Sequence, residues 1–259
     1  MTEKQPVVLS CQRAFEELAH QARLLMTDVD GTLTCADDSI SPAVPDAVRS
    51  LENAGVTVGL VSGRSMPDLE RLAGQLDISG PLIAENGAVA RLRVGSGLTG
   101  PAYSREPALR AFERLKARFS GAIRGREDNA ERLVDVVFFA DGIAKAELAE
   151  ELAEVQMVDS GYIMHLMPSG ISKGAALERL LPQVPPGDIR PQDVAVFGDS
   201  ATDLSLFQAF PNSVLIPNPR LTPELVREVR AAARYVADRP FGEGFAEVAR
   251  RIAEVKKRL

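Results

Sequence analysis

Apolar residues fall along this chain in short runs that end at turns, and the runs are of two kinds. Residues 24–27 (LLMT), 56–61 (VTVGLV), 81–88 (PLIAENGA), 193–200 (DVAVFGDS), 213–218 (SVLIPN) and 234–238 (RYVAD) each open on consecutive or nearly consecutive apolar side chains. Such runs predict short strands buried on both faces. Between them lie stretches with helical spacing: about 12–22, SPAVPDAVRSLENAG (41–55) and SGRSMPDLERLAGQL (62–76), with more after each downstream strand. In the second of these, Ser41 reads as a cap, Pro42 as part of the first turn and Gly55 as the stop. Buried strands alternating with helices predict an α/β fold with a doubly wound parallel sheet.

The middle of the chain has a different texture. Residues 89–167 offer AVARLRV, a helix near 106–119, RLVDVVFFA, a helix near 142–154, and then EVQMVD and YIMHLMP. Paired strands of mixed exposure separated by turns predict a small α+β insert resting on the α/β core. The expected division is a core of residues 1–87 and 169–259 with an insert over 88–168, hinged at 86–87 and 168–170.

Composition narrows the classes. A 259-residue chain with 45% hydrophobic and 25% charged residues has the make-up of a soluble globular protein of one or two domains. A net charge of −6 argues against nucleic acid or an anionic membrane surface as partner. No apolar stretch reaches the roughly 18 residues of a membrane span. The N-terminus has no basic region ahead of a long apolar one, so no export signal is expected. Cys11 and Cys35 make neither a disulfide framework nor a metal-site spacing. A cytoplasmic protein, monomer or homodimer, is expected.

In open α/β sheets chemistry gathers where the C-terminal strand ends meet helix N-termini. The strand ends here carry Asp28 and Asp30, Ser62–Gly63–Arg64, Glu85–Asn86–Gly87, and Gly198–Asp199–Ser200 with Asp203 one turn on. Carboxylates arriving from more than one strand form an all-oxygen donor set, which suits Mg²⁺. Lys173, opening the helix after PSGIS, supplies a positive charge that would relieve their repulsion.

DVDGTLT, VSGR, SKGAALERLL and GDSATD, in that order and at those separations, resemble the four motifs of the haloacid dehalogenase superfamily of phosphotransferases. The insert between the second and third motifs, with AENGA just before it, resembles the type IIB cap. That branch includes sucrose-phosphate, mannosyl-phosphoglycerate, archaeal-type phosphoglycolate and Cof-like sugar phosphatases. The resemblance spans residues 22–250 and implies a Mg²⁺-dependent phosphatase of a small phosphorylated metabolite, a sugar phosphate first and phosphoglycolate next. It implies that Asp28 is the nucleophile, forming an aspartyl-phosphate, and that Asp30 is the acid and then the base. It implies phosphate contacts from Ser62, Gly63 and Lys173, and Mg²⁺ held by Asp28, the backbone carbonyl of Asp30, Asp199 and Asp203. Many Cof-like relatives carry Asn where this chain has Thr202, which places the outer metal shell in question.

A phosphomannomutase-like mutase and a non-catalytic binding module are the competing readings. Arg91, Arg93, Arg124, Arg126, Tyr162 and His165 are the polar insert residues available for leaving-group specificity. His165 by itself reads as a packing residue of an alternating strand, and Arg64 as a surface or supporting arginine. His20 and the two cysteines carry no functional expectation.

Overall fold

The computed structural model describes residues 7–8, 12–152, 155–161 and 163–258. The first half of the core runs β1 (Val7–Val8), α1 (Gln12–Gln21), β2 (Leu24–Thr27), α2 (Val44–Asn53), β3 (Thr57–Val61), α3 (Met66–Gln75) and β4 (Leu82–Ala84). A hairpin of β5 (Val89–Arg91) and β6 (Leu98–Thr99) follows. Next come α4 (Glu106–Arg118), β7 (Ile123–Gly125), β8 (Val136–Ala140), α5 (Lys145–Ala149), β9 (Val155–Asp159) and β10 (Met164–Pro168). The chain then returns through α6 (Lys173–Leu180), β11 (Val194–Gly198), α7 (Leu204–Ala209) and β12 (Asn212–Leu215). It closes with α8 (Pro223–Ala232), β13 (Tyr235–Val236) and α9 (Phe241–Lys256).

The large sheet has the order β1-β13-β12-β11-β2-β3-β4-β5-β6, parallel through β4 and antiparallel thereafter. Successive side chains of a strand point to opposite faces, and both faces of β2 are covered. Leu25 packs in a core with Phe15, Leu18, Val48, Leu51, Leu69 and Phe245, contributed by α1, α2, α3 and α9. Leu24 and Met26 pack in a second core with Leu177, Leu206, Phe207 and Val229 of α6, α7 and α8. This two-sided burial explains why these strands read as unbroken apolar runs. The α/β fold class expected from the sequence is the observed one.

A separate antiparallel sheet, β7-β8-β10-β9, carries its own small core, in which Ala111, Phe112 and Leu115 of α4 meet Val136, Phe138 and Leu166. The hairpin over 89–99 departs from the expected insert. β5 pairs with β4, Ile83 opposite Ala90, so the AVARLRV stretch extends the large sheet. Two further expectations shift. α2 begins at Val44 with Pro45 in its first turn; Ser41 stays at the turn before it, its hydroxyl accepting from the Ala43 amide at 3.3 Å and its carbonyl from the Val44 amide at 3.0 Å. The helix expected near 142–154 is the short α5, from Lys145 to Ala149.

Register places the site. β2 lies between β11 and β3, with Thr27 opposite both Phe197 and Leu60. The residues that follow these three strands, Asp28, Asp199 and Ser62, therefore leave the sheet side by side.

Candidate active site

Asp28 is anchored at the end of β2 by its own amide, which donates to Phe197 O at 2.9 Å. Its carboxylate is almost wholly buried, and Lys173 Nζ donates to Oδ1 at 2.8 Å. The same ammonium donates to Asp203 Oδ1 at 2.7 Å and to the Thr202 hydroxyl at 3.1 Å. All three Lys173 protons are thereby placed. Asp203 Oδ2 accepts from the amides of Asp199 and Ser200 at 3.0 and 3.1 Å, closing the turn after β11. Asp199 Oδ2 accepts from Asn218 Nδ2 at 2.6 Å, while its Oδ1 is buried with no hydrogen-bond partner among the described residues.

Gly31 makes this packing possible. Its φ is +83°, and a β-carbon there would collide with the Asp199 carboxylate and the Asn218 amide. The glycine of DVDGT lets the first loop turn beneath the fourth.

Oxygens of Asp28, Asp199 and Asp203 all lie within 4.8 Å of one another. Burial pushes the Asp28 carboxyl up to about 7; Lys173 pulls against this, and the charges of Asp203 and Asp30 reinforce it. Burial, then Asp28 and Asp203, likewise hold Asp199 well above the ordinary carboxylate range. Lys173 also suffers from burial, but Asp203 and Asp28 outweigh it and raise its pKa. Three buried carboxylates facing one ammonium leave an excess of negative charge. The unpartnered Asp199 Oδ1 and the all-oxygen donor set fit a hard divalent cation. Asp30 stands apart from this cluster. Its carboxylate is gripped bidentately by Arg64, Nε to Oδ2 at 3.0 Å and Nη2 to Oδ1 at 2.6 Å. Arg64 also reaches Asp68 at 3.2 Å, so the sequence reading of Arg64 as a supporting residue understates its position.

Ser62 is buried at the end of β3, and its hydroxyl accepts from the Arg64 amide at 3.2 Å. With Asp28, Asp30, Gly63, Lys173 and Asp199 it lines a cavity of about 490 Å³. The small sheet roofs that cavity through Arg126, Ser160, Ile163 and His165. Of the candidate specificity residues, Arg126 and His165 thus reach the crevice. Arg91 turns to Glu70, Arg124 stacks on Phe139 in a neighbouring groove, and Arg93 is not among the residues lining the cavity. Tyr162 lies outside the described residues.

Sequence reasoning placed a hinge at 86–87 but did not foresee the contacts that Glu85 and Arg132 make there. Glu85 and Asn86 both hold positive φ, 50° and 54°. The Glu85 carboxylate accepts the amides of Leu133, Val134 and Asp135, each at 2.8 Å. Arg132, buried, donates to Gly63 O at 2.9 Å and forms ion pairs with Asp128 and Asp135. The signal available was a glutamate just after a buried strand, followed by Asn-Gly. Asn218, at the end of the β12 run, carried only the position of a polar residue beyond a buried strand.

Core, roof and carboxylate crevice together define a capped hydrolase on a doubly wound α/β core. The chain belongs to the haloacid dehalogenase-like hydrolases, whose family model matches residues 25–99 and 109–248, and it is a phosphatase of that family. It is 34% identical over 226 residues to a phosphoglycolate phosphatase of Methanothrix thermoacetophila, covering 85% of this chain and 92% of that protein. It is 29% identical over 236 residues to the phosphoglycolate phosphatase of Methanoculleus marisnigri, covering 88% and 96%. The crystal structure of Thermoplasma acidophilum 0175 superposes with a TM-score of 0.78 at 27% identity, covering 91% of this chain and all of that one. The family and the enzyme class read from the four motifs are borne out. Among the described residues no helix is long and apolar enough to cross a membrane.

Proposed function

We propose that this protein is a Mg²⁺-dependent phosphomonoesterase of small phosphorylated metabolites, with phosphoglycolate as its leading candidate substrate. The observation that carries the reading is Asp28, a buried carboxylate fixed by Lys173 on the floor of a roofed cavity beside Asp199 and Asp203. A cavity of about 490 Å³ suits a small organic phosphate. The relatives' shared name favours phosphoglycolate, ahead of the sugar phosphate that the motifs alone put first.

In this reading the Asp28 carboxylate attacks phosphorus and carries the phosphoryl group until water removes it. Asp30 gives a proton to the leaving oxygen and afterwards takes one from the attacking water. Arg64 grips Asp30 in the resting protein, so that proton transfer requires the grip to loosen as the phosphate dianion arrives. Ser62 and the Gly63 amide hold the phosphoryl oxygens, and Lys173 joins them by giving up its contact with Thr202. Asp28, Asp199 and Asp203, with the Asp30 carbonyl, would hold Mg²⁺, which when bound offsets the repulsion between the phosphate and the Asp28 carboxylate.

The test is phosphate release across phosphoglycolate, sugar phosphates and phosphorylated glycerates, with Mg²⁺ and with a chelator. Hydrolysis of phosphoglycolate that the chelator abolishes and Mg²⁺ restores is the expected result. Equal rates with and without the chelator would reject the metal dependence, and a sugar phosphate turned over faster would restore the first expectation.

A further inference from the structure

Two polar side chains at the seam between core and roof have atoms that no described residue uses. His165 is buried in β10, and its Nδ1 lies 2.7 Å from Asp135 Oδ2. Asp135 is itself held by both contacts from Arg132 Nη1, at 2.8 and 2.9 Å. Because an ionised carboxylate can only accept, Nδ1 donates to it, and the ring is fixed with Nε2 as its free nitrogen. Nε2 has no partner among the described residues, and His165 lines the cavity. Asn86 lines the same cavity, and its Nδ2 is buried with no hydrogen-bond partner. Native folds seldom leave a buried amide unsatisfied without a reason.

Gly63 shows how close the two groups come. A β-carbon at this residue would stand 3.1 Å from Asn86 Nδ2 and 3.1 Å from His165 Cε1. Asn86 and His165 therefore meet over the residue after Ser62, on the roof side of the loop read as the phosphate cradle. What lies next to a phosphoryl group there is the remainder of the ester.

We propose that Asn86 and His165 form a polar pair that reads an oxygen carried by the leaving group of the substrate. The inference rests on the phosphatase reading and adds to it which residues choose among esters. The ligand chemistry is an oxygen a few bonds from the ester linkage: a hydroxyl, which can give its proton to a neutral Nε2, or a carboxylate, which accepts from Asn86 Nδ2 and from Nε2 when the ring carries both protons. His165 is a specificity residue, and Asp135 and Arg132 act through it by fixing the ring.

The test compares kcat/KM for phosphoglycolate, glucose 6-phosphate and ethyl phosphate in the wild type and two variants. Ethyl phosphate has no oxygen beyond the ester. His165→Asn places an amide where Nδ1 stands, keeping the bond to Asp135 while deleting Nε2. Asn86→Gly deletes the side chain while accommodating the positive φ. The oxygenated ester that the wild type prefers identifies the source, carboxylate or hydroxyl. The ratio of its kcat/KM to that of ethyl phosphate should fall about ten- to hundredfold in each variant, mostly through KM. A ratio held within about threefold in both variants, or an equal loss on both esters, would overturn the pair. A wild type inert towards 4-nitrophenyl phosphate and every other ester would remove the phosphatase reading and this pair with it.

Discussion

Lys173 stands between Asp28 and Asp203 with almost no exposure to water, at 2.8 and 2.7 Å from them. Buried ions of this kind gain little over an apolar replacement of the whole set, yet removing one partner strands the others. Lys173→Met should therefore cost about 3–5 kcal/mol of stability in a chelator, besides activity, as read by urea unfolding. Loss of activity with unchanged stability would show that the two aspartates do not depend on the ammonium. The motifs named Lys173, Asp28, Asp199 and Asp203 because each sits at a strand end or helix start. What they could not convey was Asn218 on Asp199 or Arg64 on Asp30, since both contacts join residues from distant parts of the chain. Thr202, the departure from the Cof-like pattern, spends its hydroxyl on Lys173 and Ser200.

At the scale of elements, the loop after β4 joins the core to the roof. Burial, reinforced by the charge of Asp135, pushes the Glu85 carboxyl up to about 6, against the three amides that pull it down. A folded pKa above the ordinary 4.5 means that the folded protein holds a proton the unfolded chain has released. The associated stability is fully present below pH 4.5 and is lost as pH rises through about 6, a change of about 2 kcal/mol. The stability gap between wild type and Glu85→Gln should accordingly narrow by that amount between pH 4.5 and neutrality, measured by urea unfolding at each pH. A gap that widened would contradict it. The elements most legible in the sequence were those buried on both faces, such as β2, β3 and β11, where an unbroken apolar run admits few other readings. The β5–β6 hairpin was not, because its partly exposed residues alternate like those of the roof, and only its pairing with β4 assigns it to the large sheet.

Across the whole molecule, the proposed chemistry sits on the core and the proposed selection at the seam between core and roof. The core strands bring Asp28, Asp199 and Asp203 to one floor, and the small sheet closes over them through the Glu85 and Arg132 contacts. In the proposed reading, such a roof favours small esters over bulky phosphoproteins while leaving the floor common to many esters. The sequence shows a change of texture near residue 89, but the 89–99 hairpin joins the large sheet, and the facing of Arg126 and His165 into the crevice needed the packed structure. Everything in the account turns on Asp28 carrying the phosphoryl group. The direct measurement is acid quenching during turnover of phosphoglycolate or 4-nitrophenyl phosphate, followed by peptide mapping of the trapped phosphoryl group. The group is expected on the peptide containing Asp28, and Asp28→Asn, folded like the wild type, should trap none and lose about 10³-fold or more in rate. A phosphoryl group on another residue, or more than a tenth of wild-type turnover in Asp28→Asn, would contradict it.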